Sequence, residues 1–191
     1  MSDSPEMVTA KATLRTSLLA RRASRTAAER AAAADAVAAV LASRLAAAGV
    51  VAGYVPTEEE PGHGRLPAAL PGRVLLPVVP ERGRELSWVE HEGGLAPGRF
   101  GILEPTGLRL PPPALAFADV VVVPALAVAP DGTRLGRGGG FYDRALAHAR
   151  DSALLVAVVF DDELLDVVPA GPHDHRVHAV VTPSAGWRQL V

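Results

Sequence analysis

Five short apolar runs, at 50–55, 73–79, 119–123, 153–160 and 178–182, constrain the fold more than any other feature of this sequence. None shows the spacing of an amphipathic helix, and short runs of this kind are typical of strands buried on both faces of a parallel sheet. Sequence that favours helices falls between several of them, at about 64–70, 140–150 and 161–166. Alternating strands and helices predict an α/β fold, a three-layer α/β/α sandwich with a mainly parallel sheet.

The sequence before the first apolar run predicts an N-terminal helical hairpin. Residues 1–6 are expected to form a loose tail, and a first helix is expected over about 8–23. Its apolar side holds Leu14, Leu18 and Leu19, and its arginines Arg15, Arg21 and Arg22 are expected to point elsewhere. Thr26 and Glu29 fit a capping box that would start a second helix over 27–48. Further along, 85–91 predicts a strand on an exposed hairpin or edge, and 104–113 a proline-rich surface connector.

Length and charge narrow the class of protein. The 191 residues suit one domain, 1–191, and a formal net charge of −2 gives no overall basic field for nucleic acid. No apolar run approaches the roughly 18–20 residues of a membrane helix, and the N-terminus lacks the pattern of a signal peptide. The absence of cysteine excludes disulfides, cysteine zinc sites and thiol catalysis. These features predict a cytoplasmic protein without nucleic-acid or membrane partners.

A glycine-rich segment between an apolar run and a helix start is the strongest functional signal. Its glycines are Gly132, Gly136, Gly138, Gly139 and Gly140, flanked by Arg134 and Arg137. Free backbone amides at such a junction bind phosphate, and arginines add charged donors. The dinucleotide fingerprint fails because Phe141 stands where a glycine is needed, and the lysine-containing phosphate loop fails because no lysine occurs here. The alternative is a flexible surface loop.

The segment 124–146 resembles the signature of the 5-formyltetrahydrofolate cyclo-ligase family, also called methenyltetrahydrofolate synthetases. The matching positions are Pro124, Ala127, Gly132, Arg134, Leu135, Gly136, Gly138, Gly140, Tyr142, Asp143 and Arg144. Four other segments resemble the family in the same order: Lys11 with Arg15, Glu60 with Pro61, residues 100–105, and Pro172 to Asp174. The chain departs from the pattern at Gly139, where relatives often carry lysine or another polar residue, and at Phe141, where they often carry tyrosine. Val128 and Ala129 replace the usual Phe-Asp pair.

The resemblance implies a sheet like that of sugar-phosphate isomerases and CoA transferases, and a monomer that cyclises 5-formyltetrahydrofolate to 5,10-methenyltetrahydrofolate with ATP and Mg²⁺. The implied ATP-binding residues are Lys11, Arg15, Arg134, Leu135, Gly136, Arg137, Gly138, Gly139, Gly140, Phe141 and Tyr142. The implied folate-binding residues are Val55, Glu60, Arg137, Gly138, Gly139, Gly140 and Phe141. Arg137 is the implied catalytic residue, next to the transferred phosphoryl group, and Asp143 and Asp174 are the implied Mg²⁺ ligands.

Simpler interpretations stand beside these roles. Lys11 and Arg15 would form a solvated surface pair, and Glu60 would belong to a solvated acidic loop. Asp143 would be a carboxylate in the first turn of its helix that interacts favourably with the helix dipole. The clustering of three histidines is more simply explained as coincidence than as a zinc site: His173, His175 and His178. For the whole protein, the alternatives are a non-catalytic phospho-ligand binder, or a sugar-phosphate isomerase or acyl-CoA transferase on a related sheet.

Overall fold

A seven-stranded sheet forms the centre of the molecule in a computed structural model that describes residues 4–171 and 174–190. The strands run in the order β11-β10-β9-β6-β1-β2-β3. Their bounds are β1 Val50–Ala52, β2 Arg73–Val78, β3 Ser87–Glu90, β6 Val120–Pro124, β9 Leu154–Val158, β10 Ala179–Thr182 and β11 Gly186–Gln189. The five inner strands are parallel, and the edge strands β3 and β11 are antiparallel to their neighbours. The predicted parallel sheet is therefore confirmed.

Successive residues of the central strand β6 pack on opposite faces of the sheet. Val121 and Val123 join one apolar cluster, and Val120 and Val122 join the other. All four are buried, which explains why the strands are continuous apolar runs rather than alternating ones. Helices cover both faces, so the three-layer architecture is also confirmed.

Two long helices, α1 Pro5–Ala23 and α2 Ala27–Arg44, precede the sheet. The expectation of a loose tail is wrong for residues 4–6, because Ser4 caps α1 by accepting the Met7 amide at 3.2 Å and Pro5 occupies the first turn. Residues 1–3 lie outside the described part of the chain. The Thr26–Glu29 capping box is confirmed, and the buried Val37 and Leu41 anchor α2 on the sheet.

Short elements complete the fold. They are α3 Leu66–Ala69, α4 Phe141–Leu146, the 3-10 turns Arg99–Gly101, Pro112–Phe117 and Asp161–Glu163, and the hairpin strands β4 Leu95–Pro97, β5 Leu103–Pro105, β7 Ala127–Val128 and β8 Arg134–Leu135. The strand predicted at 85–91 is confirmed as the edge strand β3, Ser87–Glu90. The expected connector 104–113 is partly ordered, since its start belongs to β5 and Leu110 pairs with Trp88.

Four predicted helices are shorter than expected. The helix predicted over 27–48 ends at Arg44, and that at about 64–70 spans only Leu66–Ala69. The helix predicted at 140–150 ends at Leu146, and that at 161–166 is a single 3-10 turn, Asp161–Glu163. Among the described residues, no helix combines the length and apolar character needed to cross a membrane.

Candidate active site

The glycine-rich loop lies at the carboxyl end of the central strand β6 and leads into α4. Before it, the chain folds back as the β7–β8 hairpin, which α1 covers through Leu18. Gly138 and Gly140 have φ angles of +93° and +69°, which residues other than glycine rarely adopt. A Cβ at Gly138 would also lie 3.2 Å from Arg15 Cζ. Glycine is therefore needed here both for the backbone turn and for the close approach of an arginine.

A cavity of about 420 Å³ opens in front of this loop. Its wall includes residues that follow β1, β2 and β6, so it lies at the carboxyl ends of parallel strands, where α/β proteins bind ligands. Apolar side chains form much of the wall: Val55, Pro77, Val79, Leu86, Phe100, Ile102, Leu103 and Phe141. The polar contribution comes from the loop and from a few charged side chains, chiefly Glu60, Arg134, Arg137 and Asp143.

Glu60 is a buried carboxylate in this cavity, with 6 % of its surface exposed. Its Oε2 atom accepts the Thr57 amide at 2.8 Å, and its Oε1 atom accepts Arg137 Nε at 3.2 Å. Arg137 also donates to Thr57 Oγ1 at 3.0 Å. The interpretation of Glu60 as part of a solvated acidic loop is therefore wrong, and the structure brings Glu60 and Arg137 together.

Two tyrosines lie within electrostatic range of Glu60. Burial is the main reason that the pKa of Tyr54 is raised well above its usual value, and the nearby Glu60 carboxylate raises it further. The same two causes raise the pKa of Tyr142, whose hydroxyl donates to Gly53 O at 3.4 Å. Both phenols are therefore neutral at physiological pH, and neither supplies a charge to the cavity.

Arg134 and Asp143 form an ion pair beside the loop. Arg134 is buried, and its Nη2 atom donates to Asp143 Oδ1 at 2.6 Å while Nη1 reaches Pro124 O at 3.3 Å. The Asp143 side chain is 37 % exposed and lines the cavity. The structure therefore places a hard carboxylate next to the glycine loop, and the helix-dipole interpretation of Asp143 remains compatible with this position.

Helix α1 contacts the loop from a side that does not line the cavity. Arg15 Nε donates to Gly136 O at 2.9 Å, and Lys11 Nζ lies 2.6 Å from Asp174 Oδ2. Lys11 is buried, with 6 % of its surface exposed, so its interpretation as a solvated surface residue is wrong. Partial burial would raise the pKa of Asp174, but hydrogen bonds from Lys11 and from the Gly171 amide outweigh it and lower that pKa.

Several candidates lie apart from the cavity. Leu135 is buried in the apolar cluster beneath α1, and neither it nor Asp174 lines the cavity. His178 Nδ1 accepts the Leu155 amide, which is a structural role, and His173 lies outside the described residues. The described residues contain no group of three or more potential ligands that could hold a metal.

Arg22 lies where the sequence did not predict it. It was expected on the side of α1 away from Leu18, yet it is fully buried. It pairs with Glu163 through two hydrogen bonds of 2.7 Å. Burial alone would lower the pKa of Arg22, but the hydrogen bonds and charge of Glu163 raise it. The signal was the spacing of Lys11, Arg15 and Arg22 by four and seven residues, which aligns them on one helical face.

Comparison with known proteins decides the family. The model of the 5-formyltetrahydrofolate cyclo-ligase family matches residues 7–183. The chain belongs to this family. A 5-formyltetrahydrofolate cyclo-ligase of Mycolicibacterium smegmatis is 43 % identical over 185 residues, which cover 93 % of this chain and 95 % of that protein. The enzyme of the same name in Escherichia coli K12 is 34 % identical over 119 residues, or 60 % of this chain and 65 % of that protein.

Solved structures support the same assignment of the chain to the cyclo-ligase family. The 5,10-methenyltetrahydrofolate synthetase of Aquifex aeolicus superposes with a TM-score of 0.76 at 30 % identity, covering 94 % of this chain and 92 % of that one. A Mycoplasma pneumoniae synthetase has a TM-score of 0.68 at 20 % identity, covering 89 % of this chain and 96 % of that one, which shows the shared fold. The cyclo-ligase family is a family of ligases, and the matched residues include the loop, Glu60 and α1 from Met7 onward.

Proposed function

We propose that this protein is an ATP- and Mg²⁺-dependent 5-formyltetrahydrofolate cyclo-ligase that activates the formyl oxygen by phosphorylation. The observation that carries the proposal is the position of the glycine-rich loop. An apolar cavity with a buried carboxylate lies on one side of it, and the cationic side chain of Arg15 on α1 contacts it outside that cavity. Such a loop can hold a phosphate chain at the edge of a largely apolar cavity that takes a small molecule.

Folate occupies the cavity in this proposal. Val55, the loop from Gly138 to Gly140 and Phe141 would contact its ring system. Glu60 would accept hydrogen bonds from the pterin N–H groups, since a buried carboxylate is a strong acceptor. The cavity volume of about 420 Å³ falls in the range of small-molecule sites.

ATP occupies the loop side. Lys11 and Arg15 would approach the nucleotide from α1, Arg134 and the segment from Leu135 to Tyr142 would surround the phosphates, and Leu135 would contribute through its backbone because its side chain is buried. Arg137, on the loop and at the cavity wall, would contact the transferred phosphoryl group. It is the only member of this set within salt-bridge distance of Glu60 among the described residues.

The residues present fit a Mg²⁺ ion that arrives with ATP. Such an ion needs only one or two protein carboxylates, because phosphate oxygens and water complete its shell. Asp143 lines the cavity, whereas Asp174 does not; each of the two carboxylates is in an ion pair, Asp143 with Arg134 and Asp174 with Lys11. Asp143 is therefore the better supported ligand. When bound, Mg²⁺ would neutralise charge on the phosphates.

The chemistry balances without another reactant. The formyl oxygen attacks the γ-phosphorus and ADP leaves. N10 of the same folate then attacks the activated carbon, the carbon–oxygen bond breaks with its electrons going to phosphate, and N10 loses its proton. The chain's part is to orient N10 and the formyl group, to hold the phosphates and to exclude water.

A direct assay tests this proposal. The purified protein is incubated with (6S)-5-formyltetrahydrofolate, ATP and Mg²⁺, and the absorbance of the methenyl product is followed. We expect product formation that stops when ATP is omitted. Folded protein that binds ATP yet forms no product at high concentration would instead identify a non-catalytic phospho-ligand binder.

A further inference from the structure

Arg22 is a fully buried arginine that the proposed chemistry does not use. Its Nε and Nη2 atoms donate to the two oxygens of Glu163, and Nη2 also donates to Ala125 O at 2.6 Å. Glu163 in turn accepts the Phe160 amide at 2.9 Å. These contacts fix the guanidinium between α1, the end of β6 and the 3-10 turn Asp161–Glu163.

The third nitrogen of this guanidinium points toward the cavity. Arg22 Nη1 is buried and has no hydrogen-bond partner among the described residues. It lies 3.9 Å from Glu60 Oε1, the same oxygen that accepts Arg137 Nε at 3.2 Å. A buried charged donor is seldom left unpaired, since the loss of its hydrogen bond to water is costly. A shift of the Glu60 carboxylate by less than about 1 Å would complete the contact.

In this proposal Arg137 leaves Glu60 to contact the transferred phosphoryl group. The Arg137 side chain is 44 % exposed, whereas that of Glu60 is 7 % exposed. When Arg137 leaves, the carboxylate would keep only the Thr57 amide unless another cation takes its place. Tyr54 and Tyr142 also lie within range of Glu60, but both are neutral. A buried carboxylate without a countercharge is strongly disfavoured.

We infer that Arg22 is a positioning residue for Glu60. When Arg137 turns to the phosphates, Arg22 Nη1 donates a hydrogen bond to Glu60 Oε1 in its place. This bond keeps the carboxylate in position for the pterin. This inference rests on the proposed function. It assigns Glu60 two cationic partners, an exchangeable one on the loop and a permanent one on α1. Glu163 then holds the Arg22 guanidinium in position.

Two variants separate this role from a purely structural one. Glu163→Gln breaks the ion pair but leaves the guanidinium beside Glu60, and the new amide keeps an oxygen for the Phe160 N–H. The double variant Arg22→Met with Glu163→Gln breaks the same ion pair and removes the guanidinium, without leaving an uncompensated buried charge. Both variants lose the same ion pair, and only the second loses the contact to Glu60 together with the hydrogen bond to Ala125 O.

We expect the double variant to raise the KM for 5-formyltetrahydrofolate roughly tenfold over that of Glu163→Gln, with the KM for ATP changed less than about twofold. The KM of Glu163→Gln itself should stay within about threefold of wild type. Equal folate KM values for the two variants, both folded by circular dichroism, would overturn the inference, because the contact of Arg22 with Glu60 would then make no difference to folate binding.

A second measurement uses the wild-type protein and does not depend on turnover. A crystal structure with an ATP analogue that has an imido β–γ bridge should show Arg137 turned from Glu60 and Arg22 Nη1 within hydrogen-bond distance of Glu60 Oε1. Arg137 on the analogue with Arg22 still unbonded to Glu60 would overturn the inference, as would Arg137 remaining on Glu60. An inactive wild type would overturn the proposed function, while this structure would still decide the role of Arg22.

Discussion

Gly139 and Phe141 occupy adjoining space in the glycine-rich loop. A Cβ at position 139 would lie 2.8 Å from Phe141 Cδ2, closer than such atoms can approach. Phe141 in turn makes an edge contact with Phe100 across the cavity, with ring centroids 6.5 Å apart. The two departures from the family signature are therefore sterically coupled, since a larger residue at 139 requires Phe141 to move.

The loop's contact with α1 gives a prediction at Gly138. Gly138→Ala should raise the KM for ATP roughly tenfold, because the positive φ is strained by about 1–3 kcal/mol and the new methyl group displaces Arg15. Steady-state kinetics would measure the effect. The matched control is Gly93→Ala, which has a φ of +99° but no atom of the described residues within 4 Å of the new Cβ. An equal loss of ATP affinity in both variants would show that backbone strain alone is responsible.

The buried carboxylate gives a second prediction. Glu60→Gln should raise the KM for 5-formyltetrahydrofolate about 10–100-fold, as expected for loss of a charged acceptor, and should change the KM for ATP much less. The control is Glu58→Gln, since the Glu58 side chain is 75 % exposed and pairs with Arg30. If Glu60→Gln and Glu58→Gln gave the same folate KM, the folate site would have to lie elsewhere.

Among the elements, α1 brings three basic side chains close to the loop and to Glu60. Lys11, Arg15 and Arg22 lie on one face of it and reach Asp174, Gly136 and Glu163. Their common face is visible in the sequence as spacings of four and seven. Their partners are 121 to 163 positions away, so local pattern could not identify them. This is why the buried Arg22 was expected to point away from the core.

The start of the central strands gives a prediction about stability and pH. Asp119 accepts the amides of Gly49 and Val50 and pairs with Arg150, which ties β6 to β1. The Val50 amide, followed by Arg150 and Gly49, lowers the pKa of Asp119 below its usual value. Stability from this group is therefore fully present above the unfolded-state pKa, about 4, and is lost as pH falls through the lower folded-state value.

Thermal unfolding of Asp119→Asn should show this direction of the pH dependence. Its Tm should lie below that of wild type at pH 6, and the two Tm values should converge as pH falls toward 3, because the wild-type carboxylate becomes protonated. The control is Asp151→Asn, since Asp151 is exposed and forms no ion pair with any described residue. A Tm difference that stayed constant with pH would remove Asp119 from this role.

At the scale of the whole molecule, the sheet brings distant residues together at the carboxyl ends of its parallel strands. Five apolar runs predicted the five parallel strands, because residues buried on both faces leave a strong local signal. The hairpins β4–β5 and β7–β8 were not predicted, since strands of two or three residues depend on their pairing partners rather than on local pattern. The cavity wall from Phe100 to Glu104 could therefore not be placed from the sequence.

The absence of a metal cluster among the described residues gives a prediction for the whole protein. Excess EDTA should abolish turnover and shift the Tm by less than about 1 °C, because the metal is expected to enter with ATP rather than to hold the fold. Added Mg²⁺ should restore the rate. A Tm drop of several degrees on chelation would point to a resident structural metal instead.

The central claim, that ATP phosphorylates the formyl oxygen, is tested most directly by following that oxygen atom. The substrate is 5-formyltetrahydrofolate labelled with ¹⁸O in its formyl group, and the phosphate released in one turnover is analysed by mass spectrometry. Our account predicts that each phosphate carries one ¹⁸O atom, because the carbon–oxygen bond breaks after phosphoryl transfer. Unlabelled phosphate, with the ¹⁸O released into water, would contradict it.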